Sequence, residues 1–312
     1  MECQKSLFFL KSVLLILSTI VMPLSLISAT DYVNVYYLPS GKNEYVFYAD
    51  NVNYCPIQIM VNLKNSEQLC LSTHLPFYTI LKPQEKGEYL FSVITYQDPS
   101  NSLVFTVNEA MGDPDVNPDL NYIYFIPYEE GTSHMINQGY NGRISHRGWI
   151  RYSLDFSMWV GTPVCAAREG IVVDVKQDSS FGGFRFRYLN NANYVTVYHK
   201  DGTFSEYVHL MKNGSLVNIG DVVHKGQIIG FSGNTGFTTG PHLHFMVFKA
   251  VTMGRETIPT TFLGPNNSRI SLYSRKFYES YRSEAQNIAK NNSSNQVSTN
   301  SSETTDSSLG GL

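Results

Sequence analysis

Short runs rich in β-branched and aromatic residues, each bounded by Asn, Pro or Gly, recur along most of this chain. Early examples are Glu44-Tyr45-Val46-Phe47-Tyr48, Ile57-Gln58-Ile59-Met60-Val61 and Tyr89-Leu90-Phe91-Ser92-Val93. Later ones are Val164-Cys165-Ala166-Ala167, Ile171-Val172-Val173-Asp174-Val175, Tyr194-Val195-Thr196-Val197-Tyr198 and Gln227-Ile228-Ile229-Gly230-Phe231. Runs of this length and type are strand signals. Composition agrees: 13% of residues are aromatic and only 16% charged, a balance that favours strands over surface helices. The expectation is an all-β, mainly antiparallel protein, and 312 residues suffice for two ordinary domains.

The N-terminus reads as a secretory signal peptide over residues 1–29: Lys5 and Lys11 supply a basic start, Val13 to Ile27 an apolar middle, and Ile27-Ser28-Ala29 a small-residue end. If it is cleaved the chain is exported to the periplasm, cell envelope or medium; if not, the segment remains a membrane anchor. No Leu-rich box precedes a suitably placed cysteine, which argues against a lipoprotein. The mature chain carries a formal charge one below the −3 of the full sequence, too mild to steer it onto polyanions, so nucleic acid is not an expected partner. Cys55, Cys70 and Cys165 remain after cleavage. Cys55 and Cys70 either pair or stay as two buried thiols, and Cys165 reads as a core residue.

Residues 30–128 are expected to form an N-terminal β-sandwich in which nothing clusters chemically, since His74 stands alone. Residues 129–265 hold the chemistry. Of eight histidines, seven fall between His134 and His244. In the run His242-Leu243-His244-Phe245 the two histidines share one strand face, about 7 Å apart along the backbone. In Tyr152-Ser153-Leu154-Asp155-Phe156, Asp155 lies opposite the bulk of its neighbours, and His146 precedes it in a loop. Hydrolytic zinc sites use three His or carboxylate ligands and leave a position open, and His146, Asp155 and His244 supply that set. A structural site closed by four cysteines has no support, because the cysteines lack Cys-x-x-Cys spacing. Proton transfer still needs a base, and His209 and His242 are the candidates. Gly-rich loops around Phe181 to Phe184 and Asn234 to Thr239 are expected groove walls. Residues 266–290 form a C-terminal extension that is helical if structured, and 291–312, a Ser, Asn and Thr tract, is expected to be disordered.

At these residues the sequence resembles the lysostaphin-type, or LytM-type, zinc endopeptidases that hydrolyse peptidoglycan. The likeness runs from about Gln138 to Phe262 through Tyr152-Ser153-Leu154-Asp155-Phe156, Gly161-Thr162-Pro163-Val164, Ala167-Arg168-Glu169-Gly170, Tyr207-Val208-His209-Leu210, Gly220-Asp221-Val222-Val223-His224-Lys225-Gly226-Gln227, and Gly233-Asn234-Thr235-Gly236 through Gly240-Pro241-His242-Leu243-His244-Phe245. It implies one zinc per chain, Asp155 and His244 as ligands, His209 and His242 as catalytic histidines, and peptidoglycan peptides as substrate. The family usually sets its first histidine ligand four residues before the aspartate, where this chain has Arg151; His146 lies nine before, with His134 as the substitute. Trp159 and Met246 also depart from the usual pattern, where a proline and an acidic residue are common. The Gly-Asp-x-Val-x-x-Gly-Gln piece occurs in biotinyl and lipoyl carriers too, but their modified lysine between methionines is absent. The rival function is a catalytically silent LytM-type module that regulates a cell-wall amidase.

Overall fold

The computed structural model describes residues 28–29, 32–64, 66–96 and 103–282. Most of the signal-peptide reading and all of the tail lie outside these residues. Ser28–Ala29, at the expected cleavage point, pairs with Asn34 and Val35.

The described chain is built from mainly antiparallel β-sheets and divides into two compact units. The first comprises Met1–Val116 with Ala250–Arg255. One of its sheets runs in the order Ser28–Ala29, Val33–Gly41, Glu44–Asn51, Glu88–Thr95, Leu69–Leu71; the other has Ile57–Leu63 between Phe77–Leu81 and Phe105–Met111. Alternation places Phe47 and Phe91 of the first sheet face to face with ring centroids 4.7 Å apart, and Phe105 of the second sheet meets Phe47 edge-on at 5.3 Å. These contacts between inner faces make the unit a sandwich.

The second unit comprises Asn117–Lys249 with Glu256–Leu312. Asn117 to Tyr128, read from sequence as part of the first domain, therefore belongs here. The reason is burial: Tyr124, Ile126 and Tyr128 are core residues of this unit, and Ile123–Tyr124 pairs with Thr261–Leu263. The main sheet runs Val222–Val223, Gly170–Lys176, Tyr194–Tyr198, Phe204–Val208, His242–Val251, Leu154–Ser157, Ser133–Gln138, Phe277–Glu279. A smaller sheet places Ile228–Ser232 between Pro163–Cys165 and Leu210–Ser215. The core between them gathers Phe156, Leu243, Phe245 and Tyr207, all at most 1% exposed.

One sequence expectation changes, and one alternative left open there is decided. The helix anticipated beyond Tyr273 is not formed among the described residues: Phe277–Glu279 is a strand whose Tyr278 lies opposite His134, so its aromatic residues serve a sheet edge. Residues 283–290 lie outside the described chain. Cys55 is a buried thiol that donates to Asn53 Oδ1 at 3.5 Å, so a Cys55–Cys70 disulfide does not form; Cys165 is also a buried thiol, in the core as expected.

The second unit also buries an ion pair. Arg168 Nη1 lies 2.8 Å from Asp201 Oδ2, and the guanidinium sits over the Tyr122 ring at 3.9 Å. Burial pushes the Asp201 carboxyl up, but hydrogen bonds from Arg168 and Thr203 outweigh it and hold the pKa below the usual carboxylate value. A depressed pKa stabilises the fold above the unfolded value of about 3.9 and loses that contribution as pH falls through the folded value. Asp201→Asn should therefore cost about 3 kcal/mol at pH 7, by leaving Arg168 without its counter-charge. It should also flatten the fall of stability below about pH 4, measured by urea unfolding across pH.

Candidate metal and catalytic site

Strand register builds the site. Gln138 lies opposite Asp155, Asp155 opposite His244, and His244 opposite Val208, so four adjacent strands contribute one row across the sheet. Because side chains alternate, His242 shares the face of His244 while Leu243 and Phe245 enter the core on the other. His209 directly follows Val208 and takes φ 68°, a left-handed conformation uncommon for a residue with a Cβ. Such strain persists only where surrounding structure enforces it, and here it ends the strand Phe204–Val208 and turns the ring toward His242, centroids 4.5 Å apart.

Asp155 Oδ1 is the centre of convergence. It lies 3.1 Å from His146 Nε2, 2.8 Å from His244 Nδ1 and 3.7 Å from His242 Nε2. One donor atom each from His146, Asp155 and His244 fall within 4.8 Å of one another. His134 is not among them. Its Nδ1 lies 3.0 Å from the Ser157 carbonyl and its ring packs edge-on against Tyr128, so the substitute ligand is a packing residue.

Backbone carbonyls set the tautomers. The Nδ1 atoms of His146, His209 and His242 lie 2.8, 2.6 and 2.8 Å from the carbonyls of Gly139, Thr235 and Gly240. A carbonyl only accepts, so each Nδ1 carries a proton, and a ring that carries no second proton presents the lone pair of Nε2. For His146 that lone pair faces a carboxylate oxygen, an arrangement that calls for a cation between them. Burial pushes the Asp155 carboxyl up, but the neighbouring His146 and His244 rings outweigh it and hold the group well below the ordinary range, as a carboxylate. Burial, with the neighbouring His242 and His244, lowers His209 to about 3, and burial lowers His242 as well. Both rings are thus neutral at pH 7, each with Nε2 unprotonated. The set suits a hydrolytic metal: two imidazoles and one carboxylate would hold an ion, and two further imidazoles lie beside them.

The residues that orient this set escaped sequence reasoning. Gln138 donates from Nε2 to Asp155 Oδ2 at 3.1 Å and to Ser145 Oγ at 2.8 Å, while its Oε1 accepts from the Ile144 amide at 3.0 Å. One amide thereby ties the aspartate to the loop that carries His146. Gly142 makes room for it, since a Cβ there would lie 2.2 Å from Gln138 Cγ. Thr238 Oγ1 adds a contact at 3.2 Å to His242 Nδ1. A glutamine on a strand has no motif, and carbonyl anchors carry no side-chain signature.

Comparison with known proteins finds a family match over part of these residues. The model of Peptidase family M23 matches residues 150–257. Lysostaphin of Staphylococcus simulans is 41% identical over 99 residues, 31% of this chain and 18% of that protein. The peptidoglycan DD-endopeptidase ShyA of Vibrio cholerae is 42% identical over 91 residues, 29% of this chain and 18% of that protein. Among solved structures, the catalytic domain of lysostaphin from Staphylococcus simulans is 31% identical, aligned over 40% of this chain and 87% of that one with a TM-score of 0.30. The matched stretch thus spans only 18% of the length of each of these two curated relatives. Residues 150–257, which carry Asp155, His209, His242 and His244, are a Peptidase family M23 domain of the lysostaphin and LytM kind.

Proposed function

We propose that this chain is an exported zinc metalloendopeptidase that hydrolyses peptide bonds in the stem peptides or cross-bridges of peptidoglycan. The observation that carries the reading is the meeting of His146, Asp155 and His244 around one carboxylate oxygen, beside two neutral histidines whose Nε2 atoms are unprotonated. One zinc per chain suits this borderline-soft N and O donor set. When bound, zinc would polarise the scissile carbonyl and bring the pKa of water toward neutrality. One of the pair His209 and His242 would take the water proton at Nε2, donate it to the developing oxyanion and pass it to the leaving amine, while the other orients the water; Thr235 and Gly240 hold the two rings. The substrate class follows the relatives, of which ShyA bears the name peptidoglycan DD-endopeptidase. The N-terminal sandwich is read as an accessory domain. Among the described residues no helix is long and apolar enough to cross a membrane. Membrane attachment therefore rests on whether the leader is cleaved.

Zinc content of the purified mature chain, measured alongside release of new amino groups from purified peptidoglycan, tests the reading. One equivalent of zinc with amine release is the expected result. Absence of zinc from carefully prepared protein would shift the assignment to the silent, amidase-regulating module.

Gln138→Leu should lower zinc affinity about 10- to 100-fold, the usual effect of losing a group that orients a metal ligand. Competition with a chromophoric chelator measures this, and excess zinc should restore activity.

A further inference from the structure

Beside the catalytic histidines lies a patch of apolar rings that the hydrolytic mechanism does not use. Phe184 and Phe186 are 61% and 80% exposed, yet both pack on half-buried Phe237, with centroids 5.0 and 5.5 Å apart. Large exposed rings gathered in one place mark an interaction surface. The platform is rigid. Gly182–Gly183 pairs in parallel with Gly236–Phe237, and a Cβ on Gly182 would lie 1.9 Å from the Asn234 carbonyl oxygen. It also adjoins the site: Phe237 lies between Thr235, whose carbonyl holds His209, and Thr238, whose hydroxyl contacts His242.

We propose that Phe184, Phe186 and Phe237, with Arg185 and Arg187, form a docking surface for the sugar chain from which the cleaved peptides hang, an inference that rests on the peptidase reading above. Three observations favour a sugar chain over other occupants. The backbone groups here are engaged with each other, Gly236 N with Phe181 O at 2.9 Å and Thr238 N with Gly183 O at 3.3 Å, so the ladder offers little to an added peptide strand while ring faces stay bare. A pyranose presents a flat face of C–H groups that stacks on such rings. Charge is complementary as well: Arg185 and Arg187 are exposed, no Asp or Glu occurs from 179 to 200, and the lactyl carboxyl groups of the amino sugars not amide-linked to peptide are anionic.

The test uses the full mature chain in wild-type form and as Phe186→Ser/Arg185→Gln, both substitutions at exposed positions. Binding is measured to peptide-free glycan strands and, separately, to phosphatidylglycerol vesicles. Cleavage is measured on one peptide, either glycan-linked or released. The double variant should bind glycan strands about tenfold more weakly, and its preference in kcat/KM for glycan-linked over released peptide should fall by a similar factor. No glycan binding by wild type, equal binding by the variant, or loss confined to vesicles would overturn the surface. Glycan binding that depends on these residues in a zinc-loaded chain that cleaves neither substrate would uphold the surface and remove the peptidase reading. Cleavage without glycan binding would do the reverse.

Discussion

His244→Ala is expected to lose zinc and amine release together, with cleavage falling by at least about 10⁴-fold, the equivalent of several kcal/mol of charge stabilisation supplied by a bound metal. His244 Nδ1 lies closer to Asp155 Oδ1 than any other ring nitrogen of the cluster, and its strand position is directly opposite Asp155. His146→Ala should behave similarly, because the loop holding it is fixed through Gln138 and Gly139. His134→Gln should keep its zinc, since that ring packs on Tyr128 away from the cluster. Metal content by atomic spectroscopy and amine release distinguish all three. Full activity in His244→Ala would sink the metal assignment, and zinc loss in His134→Gln would reopen the choice of first ligand.

The parts of the site visible in the sequence are those that depend on side-chain identity and period. Alternation on a strand places His242 and His244 on one face, and the residues between and after them are apolar because they enter the core. Asp155 stands out because its neighbours Leu154 and Phe156 are buried on the other side. What brings Asp155 to His244 is register, and register depends on which strands become neighbours, a tertiary fact. His146 illustrates the limit: it lies nine residues before Asp155, and hydrogen bonds from Gln138 to Ser145, from Ile144 to Gln138 and between His146 and Gly139 return the loop. The same gap affects the fold. The apolar run of Tyr124, Ile126 and Tyr128 looks like a last sandwich strand, yet its burial partners belong to the second unit. Tyr273 to Arg282 carries no Pro or Gly to forbid a helix, and the pairing edge at Ser133–Gln138 draws part of it into a strand.

His209→Ala and His242→Ala should keep one equivalent of zinc and lose turnover, each by about 10² to 10⁴-fold, the range attributed to positioned acid–base groups. Neither ring belongs to the three-residue donor set, and each is anchored through Nδ1 to a carbonyl that remains when the other is removed. Their centroids lie 4.5 Å apart, so under the proposed mechanism the two share the same reacting atoms, and the double variant should fall little below the worse single one. Losses that multiply would mean the two act in separate steps. His209 carries a second expectation from its backbone. With φ at 68°, Gly adopts that conformation without strain, so His209→Gly should unfold at higher denaturant than His209→Ala while matching its loss of activity. Zinc loss in either histidine variant would move that residue from proton transfer to metal ligation.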